Sequence, residues 1–217
     1  MTDKEWAALQ DPDRRLNYLE ERGCCDQRKA RLFGVACCRR VWRVFTDDRS
    51  RTAIDMAEHL ADGEITRREM DRIVEMAREA INGHTNLDRP AETVARSLGM
   101  KKIRPAYVAW LCRYAVAPHT NYHDQHRDEA GEQLDLVRDI FGSPFRPLAF
   151  DPAWRTSTAV ALAKGMYESR DFGAMPILAD ALQDAGCDNE DVLNHCRSAN
   201  QVHVRGCWVV DLVLGKV

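Results

Sequence analysis

Residues 27–45 read QRKARLFGVACCRRVWRVF, and no other stretch of the chain states a helix so openly. On a helical wheel Phe33, Cys37, Val41, Trp42, Val44 and Phe45 share one side, while Arg28, Lys29, Arg39, Arg40 and Arg43 share the other. Cys37 and Cys38 fall on or beside the apolar side, where a thiol packs as a small hydrophobe. Upstream, helices are expected over 3–9 and 12–22, the second capped by Asp11, opened by Pro12 and stopped by Gly23. Downstream the same period recurs over 48–61, 66–82, 90–98, 105–117 and 119–141. Asp62-Gly63 marks one break, Thr66 and Glu69 form a capping box, and Gly142 ends the last helix. No stretch alternates with period two, so no strand is expected.

GSPFRPLAFDPAW, residues 142–154, holds three prolines and is the one convincing boundary. Beyond it, Asp151-Pro152 opens a helix to about residue 170 and Pro176 opens another. Asp188 caps a third, EDVLNHC. Leu178, Leu182, Val192 and Leu193 form the seam of a helical hairpin. CWVVDLVLG, residues 207–215, reads as a buried helix. The expected fold is all-α: an irregular multi-helix array over 1–142, and a C-terminal helical subdomain over 143–217 packed on it.

The chain has 217 residues, 45% hydrophobic and 30% charged, with a formal net charge of −3. That is the balance of a globular protein with a real core, and it gives no global field favouring nucleic acid or membrane. No apolar run reaches the ~20 residues that span a bilayer, and MTDKEWAALQDPDRR lacks the apolar stretch of a signal peptide. A cytoplasmic location is expected. The eight cysteines then read as thiols. Two adjacent pairs, Cys24–Cys25 and Cys37–Cys38, are poorly shaped to bridge, and no CxxC is present to suggest a zinc knuckle or a redox motif.

Three constellations could carry chemistry. His119, His123 and His126, in PHTNYHDQHRDEA, recur at i, i+4 and i+7 on one helical stripe that continues through Leu134, Val137 and Phe141. Two His at i, i+4 are a natural half-site for zinc, although HExxH is absent. The tail offers a second set, drawn from Cys187, His195, Cys196, His203 and Cys207, with Cys196, His203 and Cys207 as the candidate ligands. His203 and Cys207 are four apart, while the adjacent His195 and Cys196 must point in different directions. Against both sets stands the plainer account, that the cysteines pack and the histidines flank helix ends. The third is basic: eight Lys and Arg lie between Arg28 and Arg51. The Arg39, Arg40 and Arg43 face could meet phosphates or an acidic partner. Acidic stretches such as DNED at 188–191 could pair with it instead, and no helix-turn-helix or zinc-finger signature supports it. Asp211, alone in an apolar run, needs a partner. Arg39 or Arg40 is the expected one.

LFGVACCRRVW (32–42), LVRDIFGSPFRPLAFDPAW (136–154), MPILADALQDAGC (175–187) and HVRGCWVVDLVLGK (203–216) resemble the phrases of a family of uncharacterised bacterial proteins of planctomycete type. The resemblance implies no activity, cofactor or catalytic residue. No phosphate loop, nucleophile elbow or kinase signature is present, so whether the chain is an enzyme stays open. The leading expectation is a helical module that binds another protein, without catalytic activity, membrane contact or an obligatory cofactor. The alternatives are a metal-dependent enzyme or metal-binding protein using His119, His123 and His126 with zinc, and a nucleic-acid binder using the Arg39–Arg43 face.

Overall fold

The computed structural model describes residues 1–79, 90–116, 122–146, 149–198 and 201–216, with the backbone alone over 122–127. Among the described residues there are twelve α-helices and no strand. The chain divides into two compact units, Met1–Val137 and Arg138–Val217. The division falls inside a helix, just ahead of the boundary expected at Gly142.

The first unit opens with α1 (Asp3–Ala8), closed into a capping box by Thr2 and Glu5, and α2 (Pro12–Glu21), where Asp11 accepts from the N–H groups of Asp13 and Arg14. α3 (Gln27–Arg40) is the buried axis of this unit, with Ala30 through Cys38 all buried. It ends earlier than the wheel suggests. Val41 leaves helical geometry, and Trp42–Val44 tighten into a 3₁₀ turn that still buries Val41 and Phe45. Bulky and β-branched residues at 41, 42 and 44 are weak helix formers, so packing of their side chains decides the backbone there.

α4 (Asp48–Ala61), α5 (Arg67–Glu79), α6 (Pro90–Leu98) and α7 (Pro105–Val116) follow, with the expected box at Thr66 and Glu69 in place. α3 lies close against α6 and α7 at Gly34. A Cβ there would press into Leu98 Cδ2 and stand 3.1 Å from Val108 Cγ1, so glycine is the residue that permits the approach. Arg31, itself buried, donates to the carbonyls of Leu98 and Met100 at 3.0 Å each and so satisfies the end of α6. α8 (Tyr122–Phe141) begins in the first unit and gives its last turn to the second.

In the second unit Asp151 and Pro152 open a 3₁₀ turn, Pro152–Trp154, instead of a long helix. Thr156 then caps α9 (Ser157–Ser169) by accepting from the N–H of Ala159. The interruption seats Trp154 in the core, edge-on to Phe150. α10 (Met175–Asp184) and α11 (Glu190–Arg197) pair as the expected hairpin, with Asn189, not Asp188, supplying the cap. α12 (Trp208–Leu214) ends at Gly215, and Arg155 donates to the carbonyl of Leu212 there. Leu178, Leu182, Val192, Val209, Val210 and Val213 are core residues of this unit.

All eight cysteines are free thiols, and Cys38 and Cys112 sit with their sulfurs 4.0 Å apart. No described helix is long and apolar enough to cross a membrane.

Gly34→Val places a branched side chain where α3 meets Leu98 and Val108. It should destabilise the protein by about 1–3 kcal/mol, the range for overpacking a tight core. The check is a lower urea midpoint with an unchanged slope. An unchanged midpoint would mean the approach at Gly34 is not tight.

Candidate metal centre

Among the described residues, one group of His, Cys, Asp and Glu side chains converges closely enough to hold a metal ion. It consists of Asp139, His195, His203 and Cys207, and one donor atom from each lies within 4.8 Å of all the others. All four belong to the second unit.

Each arrives by a local rule. Asp139 sits in the last turn of α8 with no solvent exposure. His195 lies three residues after Val192 on the inward face of α11, and only 7% of its side chain is exposed. The chain then crosses back as 201–206. A turn closes through the Cys207 N–H to the Val204 carbonyl, 2.9 Å, and Gly206 takes a φ of +95° that other residues rarely adopt. That turn brings His203 and Cys207 to the same place from a segment outside any helix. Cys207 is the N-cap of α12 but makes no capping bond with its side chain, and its sulfur faces the cluster.

The carboxylate is the hub. Asp139 Oδ1 lies 2.7 Å from His203 Nδ1 and 3.2 Å from His195 Nε2, while Oδ2 accepts from the Val204 N–H at 2.9 Å. Cys207 Sγ lies 3.2 Å from His195 Nε2 and 3.9 Å from His203 Nδ1. On its far side His195 presents Nδ1 to Trp208 Nε1 at 3.2 Å and to Gln201 Nε2 at 2.9 Å. His203 Nε2 is buried and has no partner among the described residues, so every polar contact found for that ring runs through Nδ1 into the cluster.

Two chemistries are open to a Cys, two His and an Asp, and the nitrogens distinguish them. In a nucleophile–base–orienter chain the imidazole bridges, with the thiol on one nitrogen and the carboxylate on the other. Here each ring turns a single nitrogen toward both the thiol and the carboxylate. The four donors therefore converge on one point, as metal ligands do. Three of the six donor separations, 3.2 to 3.9 Å, lie near the ~3.3–3.8 Å edges of a tetrahedron built on bonds of about 2.0–2.3 Å, and all six are within 4.8 Å. The Asp139–His203 contact is shorter and would have to open slightly.

Compared with known proteins, the chain matches no family model, no curated protein and no solved structure. The chemistry has to be read from the residues themselves.

Burial sets their protonation. It pushes the Cys207 thiol well above its ordinary value, with Asp139 adding to the effect, so this sulfur is not an activated nucleophile. Burial also pushes His195 below the ordinary imidazole value, against the opposing pull of Asp139. Burial alone would raise Asp139, but hydrogen bonds from His195 and His203 outweigh it and leave the carboxyl below its usual range.

The other sequence candidates are placed as follows. His119 lies outside the described residues, and His123 and His126 lie on α8 with side chains outside them. Cys196 is 1% exposed and packs in the apolar core, so of the adjacent pair it is His195 that faces the donors. His203 and Cys207 are brought together. Arg39 pairs with Asp55 and Glu58, and Arg40 with Glu129 and Glu132, while Asp211 is fully buried in the second unit. Arg43 is exposed. Asp139 was not among the candidates. Its signal was an acid at the edge of the apolar arc formed by Leu136 and Ile140.

The lowered positions of His195 and Asp139 act in one direction. Below about pH 6.5 the unfolded chain takes up a proton at residue 195 that the folded chain resists, so folding stability falls as pH falls. Asp139 adds a further loss once pH drops through its own lowered value. In chelator-treated protein, the urea midpoint should decline between about pH 7 and pH 5, and less steeply in His195→Gln. A flat profile in wild type contradicts the burial of a neutral His195.

Proposed function

We propose that this is a metal-binding helical protein whose C-terminal unit is stapled by one transition-metal ion, with zinc the best match. Asp139 Oδ1, His195 Nε2, His203 Nδ1 and Cys207 Sγ are the ligands. The observation that carries the reading is the convergence of both imidazoles, each by one nitrogen, on the same carboxylate and thiol. A thiolate and two imidazoles favour zinc and its neighbours over magnesium or calcium, which take oxygen. Charge supports it as well. A dication matched by one carboxylate and one thiolate is neutral, and a neutral site is the kind that tolerates full burial. The cation would also reverse the bias on Cys207, since a coordinating thiol is deprotonated outright.

Four protein donors fill a tetrahedral shell, so the role assigned to the ion is structural. It ties the end of α8 to α11, to the 201–206 segment and to the start of α12. On this reading the ion holds the unit's shape, and the protein-binding role expected of the helical module belongs to its surface.

Untagged protein, expressed in zinc-supplemented medium, should carry one zinc per chain by elemental analysis. Cobalt replacement should give a visible spectrum with a thiolate-to-metal charge-transfer band. Cys207→Ser should abolish that band and Cys196→Ser should keep it. Structural zinc sites bind with about 10–16 kcal/mol. Affinity weaker than about micromolar, roughly 8 kcal/mol, would overturn the reading.

A further inference from the structure

We infer that metal binding at this centre is coupled to the indole of Trp208 through the tautomer of His195, so that the ion and the Trp208 hydrogen bond exclude each other. The inference rests on the metal reading above and concerns its regulation.

Trp208 Nε1 lies 3.2 Å from His195 Nδ1. An indole N–H can only donate, so Nδ1 must be the bare, accepting nitrogen. A neutral ring then carries its proton on Nε2, the nitrogen that faces Asp139 Oδ1 and Cys207 Sγ, each at 3.2 Å. A bond from Nε2 to a metal needs the lone pair at that position, and the proton must move to Nδ1. Two N–H groups would then point at each other between His195 and Trp208. A half-buried site does not tolerate that opposition, so the indole must swing away.

Gln201 supplies the other half of the exchange. Its amide nitrogen lies 2.9 Å from the same Nδ1. Rotating the amide by half a turn replaces a donor with a carbonyl oxygen, which accepts from Nδ1–H. Two self-consistent arrangements result. In one, Trp208 and Gln201 both donate to Nδ1 and Nε2 holds the proton. In the other, the Gln201 carbonyl accepts from Nδ1–H, Trp208 is released and Nε2 binds the ion.

The release would be felt beyond the ring itself. Trp208 is the first residue of α12, and its ring lies over Gly142, where a Cβ would stand 3.5 Å from it. Moving the indole changes how the start of α12 meets the turn after α8. That is a two-state element biased by a divalent transition ion acting as effector.

The test is a zinc titration of ¹⁵N-labelled, untagged full-length protein, with affinities measured by chelator competition. Long-range ¹H–¹⁵N spectra should show His195 protonated on Nε2 before zinc and on Nδ1 after it, with the Trp208 indole N–H leaving its hydrogen bond. Trp208→Phe, which has no N–H to displace, should bind zinc about three- to tenfold tighter than wild type, and Gln201→Leu should bind it weaker by a similar factor. Opposite signs separate coupling from general loosening, which would weaken both. If Trp208→Phe does not fold, the tautomer in the wild type decides. A Trp208→Phe protein that binds no tighter, or zinc-loaded wild type whose Trp208 indole N–H keeps its hydrogen bond to His195, overturns this inference alone, whereas zinc bound with His195 still protonated on Nε2 removes that nitrogen from the ligand set and overturns the metal reading. Wild type that takes up no zinc overturns the metal reading beneath it.

Discussion

A carboxylate without solvent has to be answered by donors or by a cation. Asp139 has no exposure and is answered from every side available to it. The Val204 N–H takes one oxygen, while His203 and His195 take the other. The Val204 bond fixes the non-helical 201–206 segment against the end of α8. The two imidazoles tie that segment and α11 to the same atom. The Gly206 turn sets the start of α12 and, with it, the position of Cys207. Replacing Asp139 by an apolar residue would strand a backbone N–H and two ring nitrogens in the interior, each at about 1–3 kcal/mol. The rest of the C-terminal unit is ordinary apolar packing of Leu178, Val192, Val209 and their neighbours around this one demand.

That demand explains why the fold was largely legible in the sequence and the site was not. Helix ends are local events. Asp11 with Pro12, Thr66 with Glu69, and Gly215 each act within four residues, and each was readable. The interruptions at Val41 and Arg155 are not local, because burial of Phe45 and Trp154 sets the backbone there. The candidate centre joins residues 139, 195, 203 and 207, and no periodicity spans that gap. His203 and Cys207 stood out at a spacing of four, but the helix that spacing suggests does not exist. They meet across a turn that Gly206 allows. His195 and Cys196 posed an either-or choice settled only by the register of α11, where Val192 sets the inward face. Asp139 left the faintest trace, one acid beside Leu136 and Ile140.

The basic helix shows the same limit from the other side. Arg39 and Arg40 looked like a face offered to phosphate, but each has two carboxylates at hand. A charge pattern along one helix says nothing of the helices beside it. Glu58, on α4, has a side chain only 3% exposed where it meets Arg39. Part of this cationic face therefore serves the fold of the first unit.

Apolar side chains could fill the space around residue 139 and stabilise it as well or better, since buried polar clusters are weak sources of stability by themselves. An ion changes that balance. A segment the size of Arg138–Val217 is near the limit where a hydrophobic core alone supplies more than about 3–5 kcal/mol, and small scaffolds are commonly reinforced by a metal or disulfides. Cys187, Cys196 and Cys207 are all buried and none is bridged, so the proposed ion would be the reinforcement of this unit. The same geometry explains why it would be adjustable. On the inference drawn above, Trp208 would hold His195 in the tautomer that cannot ligate, and Gln201 could hold it in either. On the proposed reading an entering ion would have to break one hydrogen bond and turn one amide, and that exchange would be felt at Trp208, the first residue of α12.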